Sequence, residues 1–200
     1  MSASHAPPPT KLSGPLAPLL PRLELDAEGL ACLAGAGDVA EAAERLRAAG
    51  RAADEARLLA YALPRREAVW WACMCARAVP DPALPAADLR ALEAAEQWVR
   101  RPEEANRRAA LAAAEATAYR TPEAWAAQAA GWSGGSLAPE GQPVVPPAEH
   151  LCGTAVIGAV RLATLRRDRV DLVARRLGLF LASARDIAAG GAGRIPPEEG

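Results

Sequence analysis

The stretch GWSGGS carries Gly131, Ser133 and Gly135 at the spacing of a hydrolase nucleophile elbow, G-x-S-x-G. In that chemistry a serine hydroxyl attacks a carbonyl, a histidine takes its proton, and a carboxylate orients the histidine. Downstream of Ser133 the sole histidine is His150, and Glu140 or Glu149 would have to supply the acid. The elbow also demands a strand before the serine and a helix directly after it. Here AWAAQAA precedes Gly131, which is helical sequence, and a loop follows Ser136. The pattern therefore predicts a structural turn and no catalytic residue. Gly131 ends a helix, Trp132 folds back, and Ser133, Gly134, Gly135 and Ser136 form a tight turn. Glycine amides of that kind can cradle a phosphate, yet no G-K-[ST] follows and the next helix begins more than ten residues later.

The thiols support neither a metal nor redox work. Cys73 and Cys75 are two apart on a helix, about 200° around its axis, and point to opposite sides. A zinc site would need Cys32, Cys152 and His150 to converge, since the other histidine, His5, lies in the proline-rich start. Buried apolar thiols are the expected role, with no metal and no cofactor. Trp70 and Trp71 could line a ligand cleft with Trp98, Trp125 and Trp132; on a helix apolar nearly all round they are expected to pack the core. From Arg161 to Asp186 seven arginines stand against three aspartates. They surround a turn and a helix instead of forming one face, so nucleic acid is disfavoured and a solvated surface, with an acidic protein as its partner at most, is expected.

The elements that must position these residues are helices. The chain has 200 residues, a formal charge of −1, and 51% hydrophobic residues with only 4% aromatics, a balance that points to neither nucleic acid nor a membrane surface. Lys11 is the only lysine, a bias that looks like the codon composition of a GC-rich genome. The longest apolar run, Leu151 to Val160, is far shorter than the roughly 20 residues that span a bilayer. ARRLGLFLASA, from Ala174, resembles a twin-arginine export signal but sits near the C-terminal end and reads as an amphipathic helix. With no visible signal peptide and no regular cysteine framework, a soluble, reducing, cytoplasmic setting is expected.

Five prolines before position 19 predict a disordered lead-in over 1–21. RLELDAEGLACL, Arg22 to Leu33, is ambiguous between a strand and a helical turn. Asp38 caps a helix that Gly50 ends, and a second follows to Ala62. Pro64 opens PRREAVWWACMCARAV, the expected hydrophobic centre, with Trp70, Trp71, Cys73, Met74 and Cys75 as structural core. A helix follows from about Ala86. In the next, EEANRRAALAAAEATAYR, Glu103–Arg107 and Glu104–Arg108 are expected as surface i,i+4 pairs, and Ala105, Ala109, Ala112, Ala116 and Tyr119 as the inner seam. Thr121–Pro122–Glu123 is a helix start. Two final helices lie from about Pro147 to Arg166 and Arg169 to Ala189, and the tail 190–200 is expected to be disordered. The fold class is all-α: one compact domain of about seven helices over 22–189.

The segments LPRREAVWWAC, AEQWVRRPEEANRRAA and TPEAWAAQAAGWSGGS resemble a bacterial helical family registered only as a domain of unknown function. The likeness runs from about Leu63 to Leu165, with Trp70–Trp71 and Trp132 to Ser136 its most specific pieces. Such proteins are encoded near type VI secretion components and effectors, which implies a secretion accessory and lends no catalytic residue. The expected function is a non-enzymatic cytoplasmic adaptor that binds another protein, a secretion component or effector, without metal or membrane span. Its surface is the loop Trp132 to Pro147, with Trp132, Ser133, Gly134, Gly135 and Ser136 as the partner-binding residues, because a long loop in a compact domain asks for a reason. The alternatives are a small-ligand binder or hydrolase using Ser133 and His150, and weak nucleic-acid binding by the Arg-rich C-terminal helices.

Overall fold

Capping residues divide the chain into its elements. A computed structural model describes residues 10–199. It places α1 at Leu20–Leu23, α2 at Ala27–Cys32, α3 at Val39–Ala48, α4 at Ala52–Ala62 and α5 at Arg65–Ala78. α6 follows at Ala86–Arg100, α7 at Glu104–Glu115, α8 at Pro122–Gly131, α9 at Leu151–Leu165 and α10 at Val173–Ala188. Single 3₁₀ turns, Arg166–Asp168 and Val170–Leu172, join α9 to α10. Asp26, Asp38 and Thr121 each accept a hydrogen bond from the amide three residues on, and so start α2, α3 and α8. Gly50, at φ +69°, closes α3. The all-α class holds, with ten α-helices among the described residues rather than about seven. The excess comes largely from 20–32, where two short helices form, the uncapped α1 and, in place of a strand, α2 behind the Asp26 cap.

α8 is the axis. It packs against α5, α6, α7 and α9, and its Ala124, Ala126, Ala127, Ala129 and Ala130 are fully enclosed. A ring of small side chains lets four helices approach one, and a Cβ on Gly131 would come within 2.8 Å of Leu111. The centre is thus shared between α8 and α5. On α5, Trp71, Cys73 and Cys75 are buried, while Trp70 and Met74 are half-buried and packed against the core. The Trp71 indole N–H donates to Phe180 O at 2.8 Å, tying α5 to α10. At the start of α8, buried Glu123 pairs with buried Arg166, which also donates to Val79 O at 2.5 Å.

Three segments are placed by contacts distant in sequence. In the lead-in, residues 10–21 are packed: Leu12 and Leu16 join the core, Lys11 N donates to Ala188 O at 2.7 Å, and Pro15 forms an isolated bridge with Asp38. The rest of that lead-in, with His5, lies outside the described residues. Residues 190–199 lie in an extended path against α5 and α10, for a few specific contacts outweigh their glycine and proline content. Trp70 Nε1 donates to Ala192 O, Ser183 Oγ to Gly193 O, and Glu198 N to Ala78 O. The alanine seam of α7 is misphased. Ala105, Ala109, Ala112, Ala116 and Tyr119 are exposed, and the inner stripe is Arg107, Ala110 and Ala114.

Candidate functional site

The misphased helix explains the turn after α8. Arg107, pointing inward from α7, donates to Gly131 O and, at 2.7 Å, to Ser136 O. Its other edge grips Glu104 through two 2.7 Å bonds. That guanidinium holds the Glu104 carboxyl below its ordinary range, with Arg108 adding to the effect. From α5, Arg65 donates to Ser133 O at 2.6 Å, and Arg108 reaches Ala138 O at 3.0 Å. Glycine is required at Gly135, where φ is +64° and a Cβ would sit 2.6 Å from Arg107 Nε and from Glu104 Oε2.

Beyond the turn, the chain doubles back on itself. Ser136 Oγ accepts from the amides of Ala138 and Val145 at 3.1 and 3.0 Å, and Leu137 N donates to Val145 O at 2.8 Å. The stretch 137–149 contains no helix or strand, yet three arginines and a serine pin its base. At its outer edge Val144 and Val145 are 74% and 50% exposed.

Of the residues expected to bind a partner, Ser133 and Ser136 are buried, Trp132 and Gly134 are half-buried, and Gly135 is exposed. Ser133 Oγ donates to Ala130 O at 2.7 Å, so its proton is engaged at the helix end. His150 stands at the N-cap of α9, where its carbonyl accepts from Thr154 and its ring caps nothing. Glu140 and Glu149 are exposed. The residues missed by sequence reasoning are the arginines. An Arg-rich composition makes each arginine look like background, and the Arg107–Ala110–Ala114 spacing was the available signal.

The thiols sit where packing puts them. Cys73, Cys75 and Cys152 are buried, and Cys32 is half-buried with Sγ donating to Arg45 O at 3.5 Å. Burial pushes the Cys152 thiol up to about 12. It also raises Cys73 and Cys75, with Glu96 adding to the first and Cys73 to the second. Among the described residues no three His, Cys, Asp or Glu side chains are grouped to hold a metal ion. Trp125 donates to Tyr119 O and meets the Tyr119 ring edge-on at 6.3 Å. The C-terminal arginines are divided: Arg166 and Arg176 are buried, Arg185 grips buried Glu55, and Arg169 pairs with Asp171. No helix among the described residues is long and apolar enough to cross a membrane.

A family model, described as "Family of unknown function (DUF6931)", matches residues 42–188, and the chain belongs to that family. The match is wider than the resemblance from Leu63 to Leu165 and includes both the tryptophan pair and the glycine turn. No curated protein and no solved structure matches the chain.

Proposed function

For a member of this family we propose a non-enzymatic role: a cytoplasmic adaptor that binds another protein, as an accessory of a bacterial type VI secretion system. The observation that carries the binding role is the loop from Trp132 to Pro147. Irregular backbone of that length is usually mobile or functional. Here buried Arg107, with Arg65 and Arg108 beside it, holds its base while two valines face solvent, an arrangement that keeps an apolar contact ready at little ordering cost on association. The turn Ser133–Ser136 positions that contact through the bond from Val145 N to Ser136 Oγ. The secretion setting rests on the resemblance alone.

The test is affinity capture of the tagged protein from its native cells beside a Val144→Asp, Val145→Asp variant and a Trp132→Ala, Ser133→Ala variant. The expected result is one protein enriched by the wild type and lost with the valine variant. Recovery of the same protein by both would remove the loop as the contact. Recovery of none, together with fluorophosphonate labelling of Ser133, would overturn the adaptor reading in favour of a hydrolase.

A further inference from the structure

At the opposite end of the molecule, α9 and α10 meet around a cavity of about 500 Å³ lined by Arg167, Arg169, Leu172, Arg175 and Arg176. Among the described residues the carboxylates on its wall are Glu198 and Glu199, both from the tail, and Asp171 pairs with Arg169 beside it. Arg176 is 2% exposed and fixed from behind, because Nη1 donates to Thr164 O and Arg166 O at 3.1 and 2.8 Å. Its free edge, Nε and Nη2, takes the Glu198 carboxylate at 3.2 and 2.6 Å. A buried guanidinium locked by backbone carbonyls and presenting one edge outward is a preorganised carboxylate receptor. Beside it, Glu198 N donates to Ala78 O at 2.7 Å, one of the carbonyls that the end of α5 leaves open. Ile195 packs against the core, while Pro196, Pro197 and Glu199 are exposed.

We infer that this groove is a docking site for an acidic peptide segment of a partner protein, of the pattern aliphatic–Pro–Pro–acidic–acidic, and that the chain's own Ile195–Glu199 fills it as an intramolecular stand-in. Three features support exchange. The receptor arginines lie within the family match, 42–188, and the segment that fills the groove lies outside it. Arg175 is exposed and pairs with no carboxylate among the described residues, so charge complementary to an acidic ligand is left over. Within Ile195–Glu199 the polar hold is one ion pair, Arg176–Glu198, and one backbone bond, Glu198 N to Ala78 O, beside the packing of Ile195, so a partner segment has few polar contacts to displace, while tethering makes the tail the competitor it must overcome. This site is separate from the valine-bearing loop and does not depend on that reading.

The test is fluorescence anisotropy of a labelled synthetic peptide with the sequence of residues 191–199, titrated with the full chain. A Glu198→Gln, Glu199→Gln variant is expected to bind it at least tenfold more tightly than the wild type, since its own tail competes poorly. Adding Arg175→Glu is expected to weaken that binding at least tenfold, and a peptide with Lys-Lys in place of Glu-Glu is expected not to bind. If the double variant loses its helical circular dichroism, Glu199→Gln alone, at an exposed residue without a hydrogen bond among the described residues, is expected to gain about threefold. No gain in a folded variant, equal binding of the Lys-Lys peptide, or tighter binding of a short DNA duplex than of the peptide would each overturn the proposal.

Discussion

Two irregular segments are held by buried arginines, and they are held differently. In the loop after α8, Arg107 donates to two main-chain carbonyls, Gly131 O and Ser136 O, and its counter-charge Glu104 comes from its own helix. In the tail, Arg176 spends two bonds on the main chain of the α9 end and offers the rest to a side chain, Glu198. Carbonyl acceptors are present whatever residue carries them and do not titrate. A carboxylate can be protonated, replaced or outcompeted. The same guanidinium chemistry therefore builds a fixed platform at one end and an exchangeable contact at the other.

The comparison breaks most directly at Arg107. Arg107→Ala removes two charge-assisted bonds to carbonyls, at roughly 1.5–3 kcal/mol each, and a loss of about 3–5 kcal/mol in chemical denaturation is expected. Arg107→Lys should restore less than half, because an ammonium cannot span both acceptors. Gly135→Ala comes next, at about 2 kcal/mol, since it strains a left-handed residue and drives a methyl against Arg107 and Glu104. Gly193→Ala, at φ +63° and crowded by Ile187, should cost about 1 kcal/mol or less, because the tail detaches and the helices remain; amide exchange confined to 190–199 would show it.

Acid sharpens the contrast with the smallest effect. The hydrogen bond from Arg176, with Arg167 and Arg175 nearby, holds the Glu198 carboxyl below its ordinary 4.5. A depressed carboxyl contributes fully above that ordinary value, and the contribution is lost as pH falls through the lowered one. The Arg176 Nε–H resonance should move in that window. Protonation of Glu104 in the same range removes the ion pair of Arg107 but not its carbonyl bonds, so the loop should stay in place while the tail lets go.

Much of the helical frame was legible because capping is local chemistry. Asp38, Gly50 and Thr121–Pro122 announce their helix ends within four residues, and α5 shows its burial by leaving only a narrow polar arc. What was illegible depends on partners distant in sequence. Arg107 reads as a surface charge until the carbonyls of Gly131 and Ser136, more than twenty residues away, claim it, and this misphased the alanine stripe of α7. The tail reads as disordered by composition, yet Trp70, Ser183, Asp186, Ala78 and Arg176 hold it. Of the candidate site, the glycine turn was visible and its arginine clamps were not. The exposure of Val144 and Val145 follows from the Ser136 contacts that fold the loop back.

The most direct measurement is hydrogen–deuterium exchange at neutral pH on the wild type and Glu198→Gln. The amides of Leu137, Ala138 and Val145 should be protected equally in both proteins, and those of Gly193 and Glu198 should lose protection in the variant. Loop and tail exchanging alike in the wild type, or loop protection falling with Glu198→Gln, would contradict the distinction between a fixed platform and an exchangeable contact.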